Sequence, residues 1–449
     1  MTELAAKLES LPVRSAALDP ATLIGSMLDF RDVTGDHLIN RLDDFYEWQD
    51  RRREHSLWFM GRSTEAGPRR RVTAYDDAGR KMDGINFASQ DYLSLSGHPA
   101  IKAAAVDAIE EYGVHSAGSP ALVGNTSVSL ALERRIAEFV KAEHVSLFPT
   151  GWAAGYGVVK GLIRPSDHIV MDRLSHACLQ EGARAATPNI RLFRHNDVAD
   201  LRAELEAVRS HDTRNGIMIV TEALFSMDSD TPDIAAMQDL AQEFRATLVV
   251  DVAHDLGCLG LDGRGHIGLQ GMIGKVDLVM GSFSKTFASN GGFVATNHRK
   301  VKEYLRYYSS PNTFSNALSP IQAAVVLRAF EIVDSPEGAS LRQQTMTNVQ
   351  LLRGRLNQAG FETYGAPSPI VCVKIGNEGL ARLTSRWLQA NGLVANLVEF
   401  PGVAKGKARL RMQVMSNHTD QDISDAVARV AAAHRYAKAE ITEVGDATD

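Results

Sequence analysis

From residue 72 onward, short apolar runs alternate with longer stretches in which apolar residues recur every three or four positions. The runs HVSLFPT, HIVMD, IRLFR, GIMIVTEA, ATLVVDVA and VDLVMGS read as strands. SLALERRIAEFVKA (129–142) and IAAMQDLAQEFR (234–245) read as amphipathic helices between them. Alternation of this kind predicts an α/β fold with a mostly parallel, helix-covered sheet. VTAYDDAGRKMDGINFAS, which opens this region, predicts a hairpin turning at DDAG.

The pattern changes at both ends. Beyond about residue 320, QAAVVLRAFEIV and LRQQTMTNVQLLRGRLNQAG are long helices, PIVCVKIG and ARLRMQVM are strands, and DISDAVARVAAAHRYAKA is a closing helix. Together they predict a smaller α+β unit. Residues 1–35 carry weak periodicity. LINRLDDFYEWQDRRREHSLWF (38–59) predicts an amphipathic helix, whose apolar face covers its own domain or reaches a partner. GRSTEAGPRRR reads as a linker with its arginines on a solvated face, and ITEVGDATD as a frayed end. The boundaries that follow are an arm over 1–74, a large domain over 75–318, a small one over 319–436 and a tail over 437–449.

Composition narrows the class. A net charge of −6 gives no reason to expect nucleic acid as a partner. Cys178, Cys258 and Cys372 are odd in number and far apart, which predicts buried thiols and a cytoplasmic, reducing compartment. MTELAAKLESLPVR has acidic residues and no apolar core of a signal peptide. No run approaches the roughly 18 apolar residues of a membrane span.

Ligands of open parallel sheets bind beyond the carboxyl ends of the strands, so the polar residues there carry the candidate chemistry. ATLVVDVAHDLG delivers Asp251 and His254, and VDLVMGSFSK delivers Ser282, Ser284 and Lys285. GIMIVTEALFSMD delivers Glu222, Ser226 and Asp228, and HIVMDRLSHA delivers Asp172 and His176. One such residue is usually a cap; their convergence on one edge points to a site. A lysine padded by Gly and Ser can form an imine with an aldehyde. A buried aspartate can keep a heteroaromatic nitrogen protonated. Lysine and aspartate in those roles are what pyridoxal phosphate requires.

Three competing motifs are weaker. Ser282-Phe283-Ser284-Lys285 matches S-x-x-K, but the S-D-N and K-T-G partners of that motif are missing. GRGHIG (263–268) matches G-x-G-x-x-G without following a strand, and Asp262 and Arg264 read as surface loop. Asp251 and His254 lack the further His or Cys residues of a metal site, so no metal is expected.

The chain resembles the α-oxoamine synthases, fold-type-I pyridoxal phosphate enzymes. The resemblance runs from about residue 75 to 435 through FASQDYLSLSGHP, LERRIAEFVKAEHVSLFPTGWAAG, DRLSHA, RHNDV, TEALFSMDSD, VVDVAHDLG, GSFSKTF, GGFVATNH, SPNTFSNALSP and KGKARLRMQVMSNHT. Relatives include glycine C-acetyltransferase, aminolevulinate synthase, aminooxononanoate synthase and serine palmitoyltransferase. The resemblance implies a large domain with a mostly parallel seven-stranded sheet and a smaller C-terminal domain. It implies that Lys285 holds the cofactor as an imine and removes the substrate's Cα proton. Asp251 would pair with the pyridinium nitrogen, His176 would stack on the ring, and His254 and Ser226 would bond the phenolic oxygen. Gly151, Trp152, Ser282 and Ser284 would hold the phosphate, with Ser315 arriving from the other subunit of a homodimer. Arg411 would clamp the substrate carboxylate, with Gln90 near the substrate.

The implied reaction is a decarboxylative condensation of an amino acid of the glycine, serine or alanine type with an acyl thioester, on coenzyme A or a carrier protein. The sequence departs from relatives at Gln90 (Asn), Pro120 (Arg), Ser310 (often Arg), Val252-Ala253 (Glu-Ala or Glu-Ser) and Glu399 (Arg in some). These departures leave the substrate pair open. A serine palmitoyltransferase-like long-chain synthase is one alternative, with peripheral membrane contact if the chain is long. A fold-type-I aminotransferase or lyase and a non-catalytic binding protein are the others.

Overall fold

The computed structural model describes residues 18–446, so MTELAAKLESLPVR and the last three residues of the tail lie outside the described residues. Thirteen strands occur among them: β1 (Ser63–Thr64), β2 (Arg71–Tyr75), β3 (Lys81–Phe87), β4 (His144–Phe148), β5 (His168–Asp172), β6 (Ile190–Phe193), β7 (Ile217–Glu222), β8 (Thr247–Asp251), β9 (Leu278–Ser282), β10 (Gly292–Thr296), β11 (Ile370–Gly376), β12 (Leu393–Val398) and β13 (Ala408–Gln413). The chain divides into two compact units: a larger one, Gln90–Ser226 and Asp230–Thr345, and a smaller one of the described residues up to Ser89, Met227–Ser229 and those from Met346 onward.

The larger unit holds a seven-stranded sheet in the order β4-β10-β9-β8-β7-β5-β6. The pairs β6–β5, β5–β7, β7–β8 and β8–β9 are parallel. Only β10, unforeseen in the sequence, runs antiparallel to β9 and β4. Parallel strands of this kind are apolar throughout because helices cover both faces, and all six residues of β7 are buried. Phe148, Val158, Ile169, Leu179, Val220, Val249 and Met280 build one core. Burying each such side chain contributes about 1.5–3 kcal/mol.

The smaller unit holds a six-stranded sheet, β1-β2-β3-β12-β13-β11. The hairpin β2–β3 is antiparallel as read from DDAG, and β3 pairs in parallel with β12, a strand the periodicity did not reveal. Ile85, Phe87, Leu352, Val371, Leu410, Met412 and Val430 form its core.

These units divide the chain elsewhere than at 74/75 and 318/319. The hairpin strand β3 hydrogen-bonds with a C-terminal strand, which joins residues up to 89 to the smaller unit. Helix Pro320–Val333, opened by Ser319 as N-cap, belongs to the larger unit. There its Phe330 stacks on Phe287 at 4.1 Å and meets Phe139 edge-on at 5.3 Å.

Other local readings also shift. The amphipathic helix spans Asp43–Glu54, shorter than 38–59. Its Arg52 is fully buried and donates to the carbonyls of Thr22 and Ile24 at 3.0 and 2.6 Å. Residues 18–30 form two 3₁₀ turns, Pro20–Leu23 and Met27–Phe30. The arginines after the linker are not merely solvated: Arg70 and Arg71 converge on buried Asp422 at 2.7 and 3.0 Å. The closing helix spans Asp420–Asp446, so 441–446 are helical instead of frayed. A short helix, Gly265–Leu269, starts within GRGHIG and ends one residue past it, and Arg264 lies 4.7 Å over the Phe139 ring instead of in a solvated loop. All three cysteines are buried free thiols.

Candidate active site

Asp251 ends β8 at the level of Glu222 on β7 and Met280 on β9. β9 ends at Ser282, and the loop after it carries Ser284 and Lys285. Asp251 is 6% exposed, and its Oδ1 accepts from the Ala253 N–H at 2.8 Å. Burial raises its pKa, while the charge of Lys285, and of His176 when protonated, pulls the other way. Glu222 is held well above the usual carboxylate range by burial and then by Asp251, with Lys285 again opposing. Two buried acids and one lysine therefore share a single electrostatic environment.

His176 lies just past β5 and caps helix Ala177–Ala186; its backbone N–H donates to Glu222 Oε1 at 2.5 Å. His254, three residues beyond Asp251, is buried and shares a 2.9 Å hydrogen bond through Nδ1 with the Tyr92 hydroxyl. Ser226 is buried in the turn after β7.

A second cluster lies at the start of helix Gly151–Leu162. Thr150 caps it, accepting from Ala153 N–H at 3.0 Å. A Cβ on Gly151 would fall 2.3 Å from the Ser282 side chain, and one on Gly292 would fall 2.7 Å from the Gly151 Cα. Glycine at 151 thus lets a helix N-terminus approach two hydroxyls, Ser282 and Ser284, which lie 2.8 Å apart. Unbonded N–H groups at a helix start, with hydroxyls beside them, form an anion cradle. Trp152 is half-exposed and stacks on Tyr156 at 5.2 Å.

The residues fit pyridoxal phosphate. The Gly151 cradle suits a phosphate, the buried Asp251 suits a protonated ring nitrogen, and Lys285 suits an aldehyde.

Other sequence candidates do different work. Asp172 is fully buried and accepts from the Asn196 N–H at 2.9 Å and bonds His195 Nδ1 at 3.0 Å, so it is chiefly a structural acid, and its charge adds to what raises Glu222. Burial draws the His195 pKa down, but its hydrogen bonds to Asp172 and Asp230 outweigh that and hold it up at about 10. Asp228 pairs with Arg409 at 2.7 Å in the smaller unit. Ser315 bonds the Pro311 carbonyl of its own loop. Gln90 is half-buried at the start of the larger unit.

Arg411 sits on β13 of the smaller unit, opposite Cys372 and Asn396. It lines a cavity of about 470 Å³ together with Arg62, Asn86, Val394 and Asn396. Arg62 donates to Asn396 Oδ1 at 2.9 Å. Glu399, where some relatives carry arginine, accepts from Arg382 at 2.7 and 2.9 Å.

Sequence reasoning missed Tyr92 and the role of Glu222. Tyr92 stands inside the SQDY piece, two residues from Gln90, so the signal was present. The Glu222–Asp251 pairing needs the strand register, which no local pattern gives.

The family described as aminotransferase class I and II matches residues 82–430. The 8-amino-7-oxononanoate synthase of Geobacter metallireducens is 35% identical, over 81% of this chain and 93% of that protein. The serine palmitoyltransferase of Sphingobacterium spiritivorum is 33% identical, over 83% of this chain and 92% of that one. Among solved structures, the serine palmitoyltransferase from S. paucimobilis with a bound PLP–myriocin aldimine matches with a TM-score of 0.83 at 26% identity, over 90% of this chain and 100% of that chain.

Proposed function

The chain belongs to the class I and II aminotransferase family and, within it, to the α-oxoamine synthases, and from that premise we propose which residues carry its reaction. It is a pyridoxal phosphate-dependent acyltransferase that condenses an amino acid with an acyl thioester, releasing CO2 and free thiol and giving an α-amino ketone. When bound, pyridoxal phosphate supplies the electron sink for charge developing at the substrate Cα.

Lys285 Nζ would hold the cofactor aldehyde until the substrate amine takes its place, and the amine so freed would take the proton from the substrate Cα. The carboxylate of Asp251, fixed by the Ala253 N–H, holds the proton on the ring nitrogen. Its burial makes that pairing strong, because little water competes for the charge. The N–H groups of Gly151 and Trp152 and the hydroxyls of Ser282 and Ser284 hold the phosphate. His176 covers the ring, and His254 and Ser226 orient the phenolic oxygen. Arg411 holds the substrate carboxylate as a two-pronged donor, and Gln90 borders the amino acid. The observation that carries this reading is the buried carboxylate of Asp251 at the end of β8, beside the strand that leads into Lys285, whose charge opposes the rise that burial causes in the Asp251 pKa.

The working form is a homodimer in which Ser315 of the partner subunit reaches the phosphate. In support, Leu122, Val123 and Phe314 of the larger unit are 85%, 83% and 84% exposed. Three buried free thiols support a cytoplasmic location. No described helix is long and apolar enough to cross a membrane. The amino acid is of the glycine, serine or alanine type, and the donor is an acyl-coenzyme A or a carrier-protein thioester. A long-chain donor is the second reading, supported by the 0.83 match to a serine palmitoyltransferase.

The test supplies purified protein with a panel of amino acids and acyl thioesters and follows thiol, CO2 and product mass. Equal thiol and CO2 release with an α-amino ketone product is expected for one pair. Thiol release without CO2 would leave only hydrolysis, and amino-group transfer without thioester consumption would make it an aminotransferase. Lys285→Ala should abolish the visible absorbance that the cofactor gives on binding; if the band persists, another lysine is the anchor.

A further inference from the structure

We propose that Cys178 is a positioning residue for His176: its thiol and its backbone N–H together hold the imidazole as the neutral tautomer protonated on Nε2. The inference rests on the reading of His176 as the residue that covers the cofactor ring.

His176 caps helix Ala177–Ala186 with a ring nitrogen, a task that usually falls to Ser, Thr, Asp or Asn. The Cys178 backbone N–H donates to Nδ1 at 3.3 Å. The Cys178 sulfur lies 3.0 Å from the same nitrogen. A backbone amide can only donate, so Nδ1 presents its lone pair and the ring proton resides on Nε2. The sulfur is a donor as well. Burial, reinforced by Asp251 and Glu222, pushes the thiol far above the usual range, and Lys285 only partly opposes this.

The thiol has little freedom to turn away. Cys178 is 1% exposed, and a Cβ on Gly155 would fall 2.4 Å from its Sγ. The packing therefore leaves room for the sulfur against Nδ1 and little elsewhere.

The charged groups around the ring would otherwise decide its state. Asp251 favours an imidazolium, and Glu222, which accepts the His176 backbone N–H, would add to that only when ionised. Lys285 and the positive end of the helix disfavour it. Two donors on Nδ1 settle the contest for the neutral ring. A neutral ring can lie flat against a cofactor without repelling Lys285, and it offers one N–H, at Nε2, as a donor.

The experiment labels the protein with ¹⁵N-histidine and assigns His176 by its loss in His176→Gln. Wild type should show the neutral Nε2–H pattern between about pH 6 and 8, with cofactor and without it. In Cys178→Ala the His176 midpoint should rise by about half a unit to one unit, the worth of one weak hydrogen bond. The acid limb of kcat/KM should move up with it. Cys178→Ser, which keeps a donor, should restore both. A wild-type ring that is charged or protonated on Nδ1 would overturn the assignment, and so would Cys178→Ala matching wild type or Cys178→Ser matching Cys178→Ala. The nitrogen signals are read without substrate, so a failed condensation assay leaves this result standing.

Discussion

Glu222 and Asp251 face each other across the parallel β7–β8 pair, two buried carboxylates at the same level of the sheet. Both are raised above their ordinary values, chiefly by burial. A raised carboxylate disfavours the charged form, so it weakens the fold as pH climbs above the ordinary carboxylate range. Glu222→Gln keeps an oxygen to accept the His176 N–H and removes one of the two charges. The variant without cofactor should melt at a higher temperature than wild type near pH 7, and the gain should shrink toward pH 4. An equal gain at both pH values would show that charge is not the cause.

Gly151 is where the helix start meets Ser282. Alanine there places a Cβ 2.3 Å from the Ser282 side chain. The helix must shift away and the anion cradle opens. Gly151→Ala should weaken binding of pyridoxal phosphate at least tenfold, about 1.4 kcal/mol or more, measured by titrating the apoprotein. Inorganic phosphate, which competes for the same cradle, should lose affinity in parallel.

His195 bridges Asp172 and Asp230 at 3.0 Å each and lies edge-on against Phe225 at 4.5 Å. Because its pKa is held up at about 10, its stabilisation is complete below the unfolded value of about 6.5 and fades as pH rises through 10. His195→Gln should cost about 2 kcal/mol at pH 6, typical of hydrogen bonds to charged groups. The gap between wild type and variant in urea unfolding should narrow by pH 10.5. A gap independent of pH would assign His195 to packing alone.

Glu399 answers two buried guanidiniums, Arg382 at 2.7 Å and Arg52 at 3.9 Å. Burial, with Arg382 adding, lowers the Arg52 pKa to about 9, and Glu399 opposes that. Glu399→Ala leaves the two cations without their acid and should cost about 3–5 kcal/mol. Glu399→Gln, which keeps an acceptor, should cost less. If neither variant shifts the urea midpoint, the cluster contributes nothing to stability and the choice of Glu over Arg here has another origin.

Much of the site was legible because its signals are local. Lys285 stands in a loop of small residues after an apolar run, and Asp251 and His254 end another such run. An apolar run of five or six residues closed by polar ones marks a strand end, wherever that strand lies in the sheet. The same reading over-counted Asp172, because a strand-end acid serving a site looks the same in sequence as one holding His195. The hairpin strand β3 was found, but its pairing with β12, some 300 residues away in the chain, was not.

By itself the sequence determined the strand–helix alternation, the lysine, the buried aspartate and the family. Each depends on residue type and on spacing along a few neighbouring positions. Only the tertiary structure decided that Glu222 lies level with Asp251, that Tyr92 meets His254, that Glu399 turns to Arg382 and Arg52, and that Cys178 sets against His176. All but the last join distant parts of the chain, and their energy comes from burial and register, which exist once the sheet is assembled. The last spans two residues, but the sulfur is fixed against the ring by the packing around Gly155.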